Sequence, residues 1–151
     1  MTHYDYDQFS NDIPKLAYLC RSFMPDTIVA IARGGMILSH ALCMNLSVRN
    51  LQSIRCESYN DSKKQSALTI YDTCDLKDSN RILIVDDIAD SGQTLHSLLP
   101  FFTQKYPNKE FKSATLFTKH TALIQPDFSL YEATDWIEFF WESDFLPDVT
   151  H

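Results

Sequence analysis

A chain of 151 residues with 44% hydrophobic content and a mean hydropathy of -0.22 can close one real core without a second domain, so residues 1–151 read as a single domain. A net charge of -7 and a pI near 5.0 leave no basic stripe for nucleic acid or an anionic membrane, so an anionic substrate has to be held by local loops and metal ions. No charged-then-apolar leader or bilayer-length apolar run is present, and Cys20, Cys43, Cys56 and Cys74 lack metal-ligand spacing; the expectation is a reduced cytoplasmic protein with no integral membrane segment.

Phe9, Ile13, Leu16, Ala17, Cys20 and Phe23 recur at helical spacing and predict a first helix that ends before Pro25. Pro14 leaves its start open. Either the helix begins near Asp12 with Pro14 in its first turn, or a longer helix is kinked there. Thr27 to Ala32 reads as a buried strand, ended by Arg33-Gly34-Gly35, and the strongly apolar helix Met36 to Leu46 follows without a linker. A guanidinium beside freely oriented backbone N–H groups suits a pyrophosphate, because Arg grips phosphate oxygens in a fork. On its own the same tripeptide is also a helix entry packed on glycine with a solvated Arg33. Ser53 to Ser58 is a further short strand, followed by Tyr59 and the polar tract Asn60 to Ser66, which carries Lys63 and Lys64. So little apolar surface predicts a mobile tract.

Ile82 to Val85 is an apolar run that reads as a strand buried on both faces, and it turns abruptly into Asp86-Asp87-Ile88-Ala89-Asp90-Ser91-Gly92-Gln93-Thr94. From Thr94 the spacing of Leu95, Leu98, Leu99 and Phe102 is helical. The acidic loop therefore lies between a strand's C-terminal end and a helix N-terminus, where backbone N–H groups favour anions. Glycine sharpens the point: average usage near 7% gives on the order of ten in a chain this long, yet there are 3, and all fall in the two loops assigned to phosphate. Phe111 to Phe117 reads as another strand, ended by Thr118-Lys119-His120. A last extended piece lies near Tyr131, before Asp135-Trp136-Ile137-Glu138-Phe139-Phe140-Trp141-Glu142. Strands alternating with helices predict an α/β fold, a mainly parallel central sheet flanked by helices, with ligands bound outside the strand C-termini.

The long loop has two chemical halves. Asp86 and Asp87 offer only acceptors, which suits a sugar diol or a metal; Ser91, Gly92 and Thr94 offer hydroxyls and close backbone approach, which suits a phosphate. A ribose 5-phosphate engages both. A buried strand followed by an Asp-rich turn capped by Asp90 accounts for fewer of these residues. The run Ile82 to Thr94 resembles the thirteen-residue phosphoribosyl pyrophosphate motif of type I phosphoribosyltransferases, and the similarity extends in order over nearly the whole chain.

That resemblance implies the type I fold, with a small hood built from the chain ends, and a homo-oligomer, dimer or tetramer. Arg33, Gly34 and Gly35 correspond to the pyrophosphate loop, with a cis peptide between Ala32 and Arg33. Ser58-Tyr59 resembles the start of the catalytic lid, with Lys64 its first-ranked basic residue. Asp86 to Thr94, including Ile88, Ala89 and Gln93, would contact the phosphoribosyl group, with Asp87 the contact to Mg²⁺. Asp90 would accept a proton from a purine ring nitrogen as the glycosidic bond forms, its alternative being an N-cap for the next helix.

Lys119 and Trp136-Ile137 resemble the purine pocket of the xanthine-guanine branch of the 6-oxopurine enzymes. Lys119 would donate to a 6-oxo group, Trp136 would stack on the base, and the Ile137 carbonyl would accept from a 2-amino group. Their bland counterparts are a solvated lysine, a core tryptophan and simple packing. His120, Phe139 and Phe140 stand where these relatives usually have proline or polar residues, and Gln93 replaces a common glycine, so the preferred base stays open. The substrates implied are phosphoribosyl pyrophosphate and guanine or xanthine, with hypoxanthine as a further base. A phosphoribosyl-pyrophosphate-sensing regulator on the same fold is the non-enzymatic alternative. It usually needs a DNA-binding segment or a basic RNA-binding face, neither of which is seen in the chain. A phosphoacceptor receiver domain would carry its acidic pair after the first strand, not mid-chain.

Overall fold

The computed structural model describes residues 1–59 and 67–148. Its elements in chain order are β1 (Thr2–Tyr4), α1 (Tyr6–Arg21), β2 (Thr27–Ala32), α2 (Met36–Leu46), β3 (Asn50–Tyr59), β4 (Ala67–Tyr71), β5 (Arg81–Val85), β6 (Ile88–Ala89), α3 (Gln93–Lys105), β7 (Glu110–Ala114), β8 (Phe117–Thr118), β9 (Tyr131–Glu132), β10 (Ile137–Phe139) and α4 (Phe140–Ser143). The central sheet runs β4-β3-β2-β5-β7. All its neighbours are parallel except the β3–β4 pair.

The apolar runs explain why β2 and β5 are the middle strands. Ile28, Leu83 and Val85 face a core shared with α1 and α2, while Val29, Ile31, Ile82 and Ile84 face a second core under α3. A strand covered on both sides has no solvent face and so shows no polar alternation. Ala30 pairs with Val85, so the chain leaves β2 and β5 at the same sheet edge, and Arg33-Gly34-Gly35 emerges beside Asp86-Asp87.

Two small parallel sheets stand beyond that edge. One pairs β1 with β10 and the other runs β6-β8-β9. Together with α4 they form the hood from the chain ends, packed by Tyr4, Phe9, Phe117, Phe139 and Trp141, with Phe139 stacked on Trp141 at 4.7 Å. Phe140 packs edge-on against Tyr6 and Phe9. Phe139 and Phe140 are thus part of the hood's apolar filling.

Several boundaries differ from the sequence reading. The first helix does not begin near Asp12. It starts at Tyr6 behind a capping box, in which the Asp5 carboxylate accepts from the Gln8 N–H and the Gln8 side chain accepts from the Asp5 N–H, and Pro14 lies inside it. The expected strand Phe111 to Phe117 is two pieces in different sheets, because β7 ends at Ala114 and Phe117-Thr118 turns to pair with β6 and β9. Tyr59 closes β3 and does not begin a loop. The hairpin partner β4 and the edge pair β1–β10 were not legible in the sequence. The mobility expected of 60–66, and Lys63 and Lys64 with it, lies outside the described residues. Among the described residues no helix is long and apolar enough to cross a membrane. All four cysteines are free, Cys20 and Cys43 buried, and burial pushes the Cys20 thiol up to about 12.

Candidate active site

The loop after β5 is fixed by its backbone. The Asp86 N–H donates to the Ala114 carbonyl (3.2 Å), the Asp87 carbonyl accepts from Leu116 N–H (3.0 Å), the Ala89 carbonyl from Lys119 N–H (2.9 Å) and the Ser91 carbonyl from Leu123 N–H (2.8 Å). The segment 114–123 therefore acts as a rail along which the loop lies, and the rail delivers Lys119. Gly92 caps α3 at φ 78°, a left-handed conformation that non-glycine residues enter at a cost. A Cβ there would also sit 2.7 Å from the Leu123 nitrogen, so a side chain would lift the loop off its rail. Ser91 Oγ accepts from the Gln93 N–H at 3.2 Å. The result is a cavity of about 100 Å³ lined by Asp86, Ile88 to Thr94 and Leu95.

Asp90 is not the helix cap. Gly92 occupies that position, and the Asp90 carboxylate instead meets the Lys119 ammonium at 2.7 Å. Lys119 is therefore an ion-pair partner, not simply a solvated strand-end charge. Asp90 and Ile88 also line a second, adjoining cavity of about 130 Å³, completed by Asp87, Lys119, Asp135, Trp136, Ile137, Phe139 and Glu142. Trp136 is 63% exposed, which removes the alternative of a core tryptophan; it forms a wall of the cavity. Ile137 is buried behind it. The Thr2 N–H donates to the Trp136 carbonyl at 2.7 Å, and Thr2 pairs in register with Ile137. In a parallel pair that pattern engages the residues flanking Ile137 and turns Ile137's own carbonyl to the opposite edge.

The acidic pair is crowded. Asp87 is buried, with its Oδ1 accepting from the Ile88 N–H at 2.8 Å, and the Asp86 Oδ1 accepts from the Asp87 N–H at 2.9 Å. Burial, then the charge of Asp87, pushes the Asp86 carboxyl well above the ordinary carboxylate range. Burial also raises Asp87, opposed by hydrogen bonding from Asp86 and from the Ile88 N–H. The buried Trp141 Nε1 meets no acceptor at full hydrogen-bonding geometry, yet it lies near enough to Asp87 to hold that carboxyl down. Glu142 is raised by burial and then by the Asp87 charge, with Arg33 opposing. Nothing in the local sequence marks Trp141 and Glu142 as neighbours of Asp87, because they arrive on α4 from the far end of the chain.

The Arg33-Gly34-Gly35 loop meets the acidic pair directly. A Cβ on Gly34 would lie 2.7 Å from the Asp87 carboxylate, so only glycine lets the two loops touch. The Ala32–Arg33 peptide is cis, and Arg33 is exposed. Arg33, Gly34 and Gly35 line neither of the two cavities, and neither does Ser58, which is exposed near the end of β3. Tyr59 is paired with Ala67 in the β3–β4 hairpin.

Residues 5–147 match the phosphoribosyl transferase domain. The chain belongs to the phosphoribosyltransferase family. Among curated relatives, a xanthine-guanine phosphoribosyltransferase of Cereibacter sphaeroides is 30% identical over 149 residues, covering 93% of this chain and 86% of the relative. Among solved structures, Helicobacter pylori xanthine-guanine-hypoxanthine phosphoribosyltransferase superimposes with a TM-score of 0.87 at 38% identity, over 95% of this chain and 94% of that one. A purine phosphoribosyltransferase from Pyrococcus horikoshii gives 0.81 at 31% identity, over 99% and 97%. Such phosphoribosyltransferases share the α/β architecture described above, with its mainly parallel sheet and flanking helices.

Proposed function

We propose that the protein transfers the 5-phosphoribosyl group from phosphoribosyl pyrophosphate to a 6-oxopurine, guanine or xanthine foremost, giving the nucleoside 5′-monophosphate and pyrophosphate. The observation that carries this reading is the pair of adjoining cavities that share Ile88 and Asp90, one along the acidic and hydroxyl loop, the other between Lys119 and Trp136-Ile137. A nucleotide has this two-part shape. The names of the Cereibacter and Helicobacter relatives support the same substrates.

In this reading the 5-phosphate lies on Ser91, Gly92, Gln93 and Thr94, with Ile88 and Ala89 beneath it, and Asp86 and Asp87 hold the ribose diol. Arg33 and the Gly34-Gly35 backbone hold the pyrophosphate, with Ser58, Tyr59 and Lys64 on the lid side. The ring nitrogen of the base attacks the sugar C1, the bond from C1 to the pyrophosphate oxygen breaks, and the proton on the imidazole side of the base passes to Asp90. N7 and the 6-oxygen lie side by side on one edge of guanine. The Asp90–Lys119 pair, 2.7 Å apart, offers an acceptor and a donor at that spacing. The 6-amino group of adenine would meet a donor instead.

No cluster of three or more His, Cys, Asp or Glu side chains able to cage a metal occurs among the described residues. The carboxylates of Asp86 and Asp87, adjacent at the end of β5, fit Mg²⁺, which commonly takes one or two carboxylates and completes its shell with water and substrate oxygens. Asp87 would hold it, and Mg²⁺ would supply charge neutralisation to the departing pyrophosphate. We further propose a single domain that assembles as a homo-oligomer; the exposed Tyr18, Met24 and Met44 give apolar surface for it.

The test is incubation of radiolabelled guanine, phosphoribosyl pyrophosphate and Mg²⁺, with xanthine, hypoxanthine and adenine as competitors. Labelled GMP is expected, with competition by xanthine and little by adenine. Tight binding of phosphoribosyl pyrophosphate without nucleotide formation would identify a sensor instead, and equal use of adenine would remove the 6-oxopurine assignment.

A further inference from the structure

We propose that Asp12 is a positioning residue that sets the gap between the two walls of the base pocket. This rests on the reading of that pocket given above. Asp12 lies in the middle of α1, far from the phosphoribosyl loop in sequence, and is 4% exposed. A buried carboxylate is costly unless its oxygens are satisfied, and here three groups converge on it. Tyr4 donates its hydroxyl to Oδ2 at 2.7 Å, Tyr131 donates to Oδ1 at 2.6 Å, and the Lys15 ammonium lies 3.6 Å from Oδ1. Each tyrosine pKa is raised, that of Tyr131 to about 12 with the hydrogen bond to Asp12 as its first cause, so both phenols stay donors throughout the working range.

The two tyrosines stand on two strands that pair with the elements carrying the pocket's two walls. Tyr4 belongs to β1, whose Thr2 donates to the Trp136 carbonyl and pairs with Ile137. Tyr131 belongs to β9, which pairs with β8, and Lys119 follows directly after β8. One carboxylate therefore ties α1 to the Trp136-Ile137 wall through β1 and to the Lys119 wall through β9. The network lies behind the base pocket, on the wall of a separate groove of about 500 Å³ that shares Ile137 with it. Charge-assisted hydrogen bonds are the strong and directional kind, and supporting groups one layer back from a ligand commonly set affinity by about tenfold or more.

The ties of Asp12 run to Tyr4, Tyr131 and Lys15, and none of these hydrogen bonds or ion pairs includes Asp87 or Gly34. Loss of these ties should raise the KM for guanine about tenfold and leave the KM for phosphoribosyl pyrophosphate within about twofold. The experiment measures both constants and kcat for Asp12→Asn, Asp12→Ala, Tyr4→Phe and Tyr131→Phe. Tyr131→Phe is the variant that keeps the question open to test if Asp12→Ala fails to fold, since Tyr131 is 38% exposed. Asp12→Asn retains one acceptor oxygen and should recover part of what Asp12→Ala loses. Quenching of tryptophan fluorescence by GMP, titrated on the same variants in a Trp141→Phe background so that Trp136 is the only tryptophan emitter, reads the pocket without turnover. A base-side shift in Tyr131→Phe, partly restored from Ala to Asn at position 12, supports the assignment. Equal shifts in both constants, or a lowered Tm with both constants unchanged, would overturn it. If the unmodified protein makes no nucleotide, it is the function proposed above that fails.

Discussion

The loop proposed to hold the phosphoribosyl group and the pocket proposed to hold the base touch each other through Ile88 and Asp90 but are built in opposite ways. The loop is one contiguous stretch, Asp86 to Thr94, held at a fixed strand-to-helix junction. The pocket gathers its walls from the segment after β8 and from the hood near the C-terminus, which β1 of the N-terminus holds in register. A contiguous site depends on local backbone geometry, whereas an assembled site depends on how well distant strands are held. Mutations should therefore separate into those that disturb phosphoribosyl pyrophosphate and those that disturb the base.

The largest effect should fall where the two regions meet. Asp90→Asn keeps the shape of the loop and leaves Lys119 with a neutral partner. A fall in kcat of about a hundredfold or more, at unchanged Tm, is expected of a residue that takes a proton in the reaction. Turnover that survives the change would return Asp90 to a purely electrostatic partner of Lys119.

A matched pair of substitutions sharpens the contrast. Gly34→Ala pushes a methyl group against the Asp87 carboxylate and should raise the KM for phosphoribosyl pyrophosphate about tenfold with little effect on the base. Trp136→Ala removes an exposed stacking face. It should do the reverse, by roughly tenfold, in line with about 1 to 3 kcal/mol per stacked base. Steady-state kinetics with each substrate varied in turn checks both, and a swap of the two signatures would break the division. Lys119→Gln, which gives the pocket an acceptor, should narrow the preference for guanine over adenine by about tenfold, measured as the ratio of kcat/KM values.

The smallest effect is on stability and belongs to the loop alone. The folded Asp86 carboxyl titrates above its unfolded value of about 4. Its protonated form is therefore the one that favours folding. That contribution is present below about pH 4 and is lost as pH rises through the raised value. Asp86→Asn, always neutral, should show a Tm about a few degrees above the unmodified protein at pH 8, with the advantage vanishing toward pH 4. The same variant should lose affinity for phosphoribosyl pyrophosphate, as expected where function holds two carboxylates together at a cost. Thermal melts across that pH range, without Mg²⁺ or substrate, are the measurement, and a Tm difference that grows toward acid would contradict the assignment.

What the sequence by itself determined follows the same division. Thr27–Ala32 and Met36–Leu46 coincide with β2 and α2, and the run from Ile82 reads directly as strand, loop and helix, because burial on both faces and the glycine positions are written in consecutive residues. Lys119, Trp136 and Ile137 could be named from resemblance, but not their surroundings. Only the tertiary structure put Asp90 against Lys119, exposed Trp136, brought Trp141 and Glu142 to Asp87, and joined Tyr4 and Tyr131 on Asp12. The strands β1, β6, β8, β9 and β10 are two or three residues long, too short to show a hydrophobic period. Their pairing is decided by partners as many as 135 positions away, as the register of Thr2 with Ile137 shows, and local propensity carries no information about a partner at that distance.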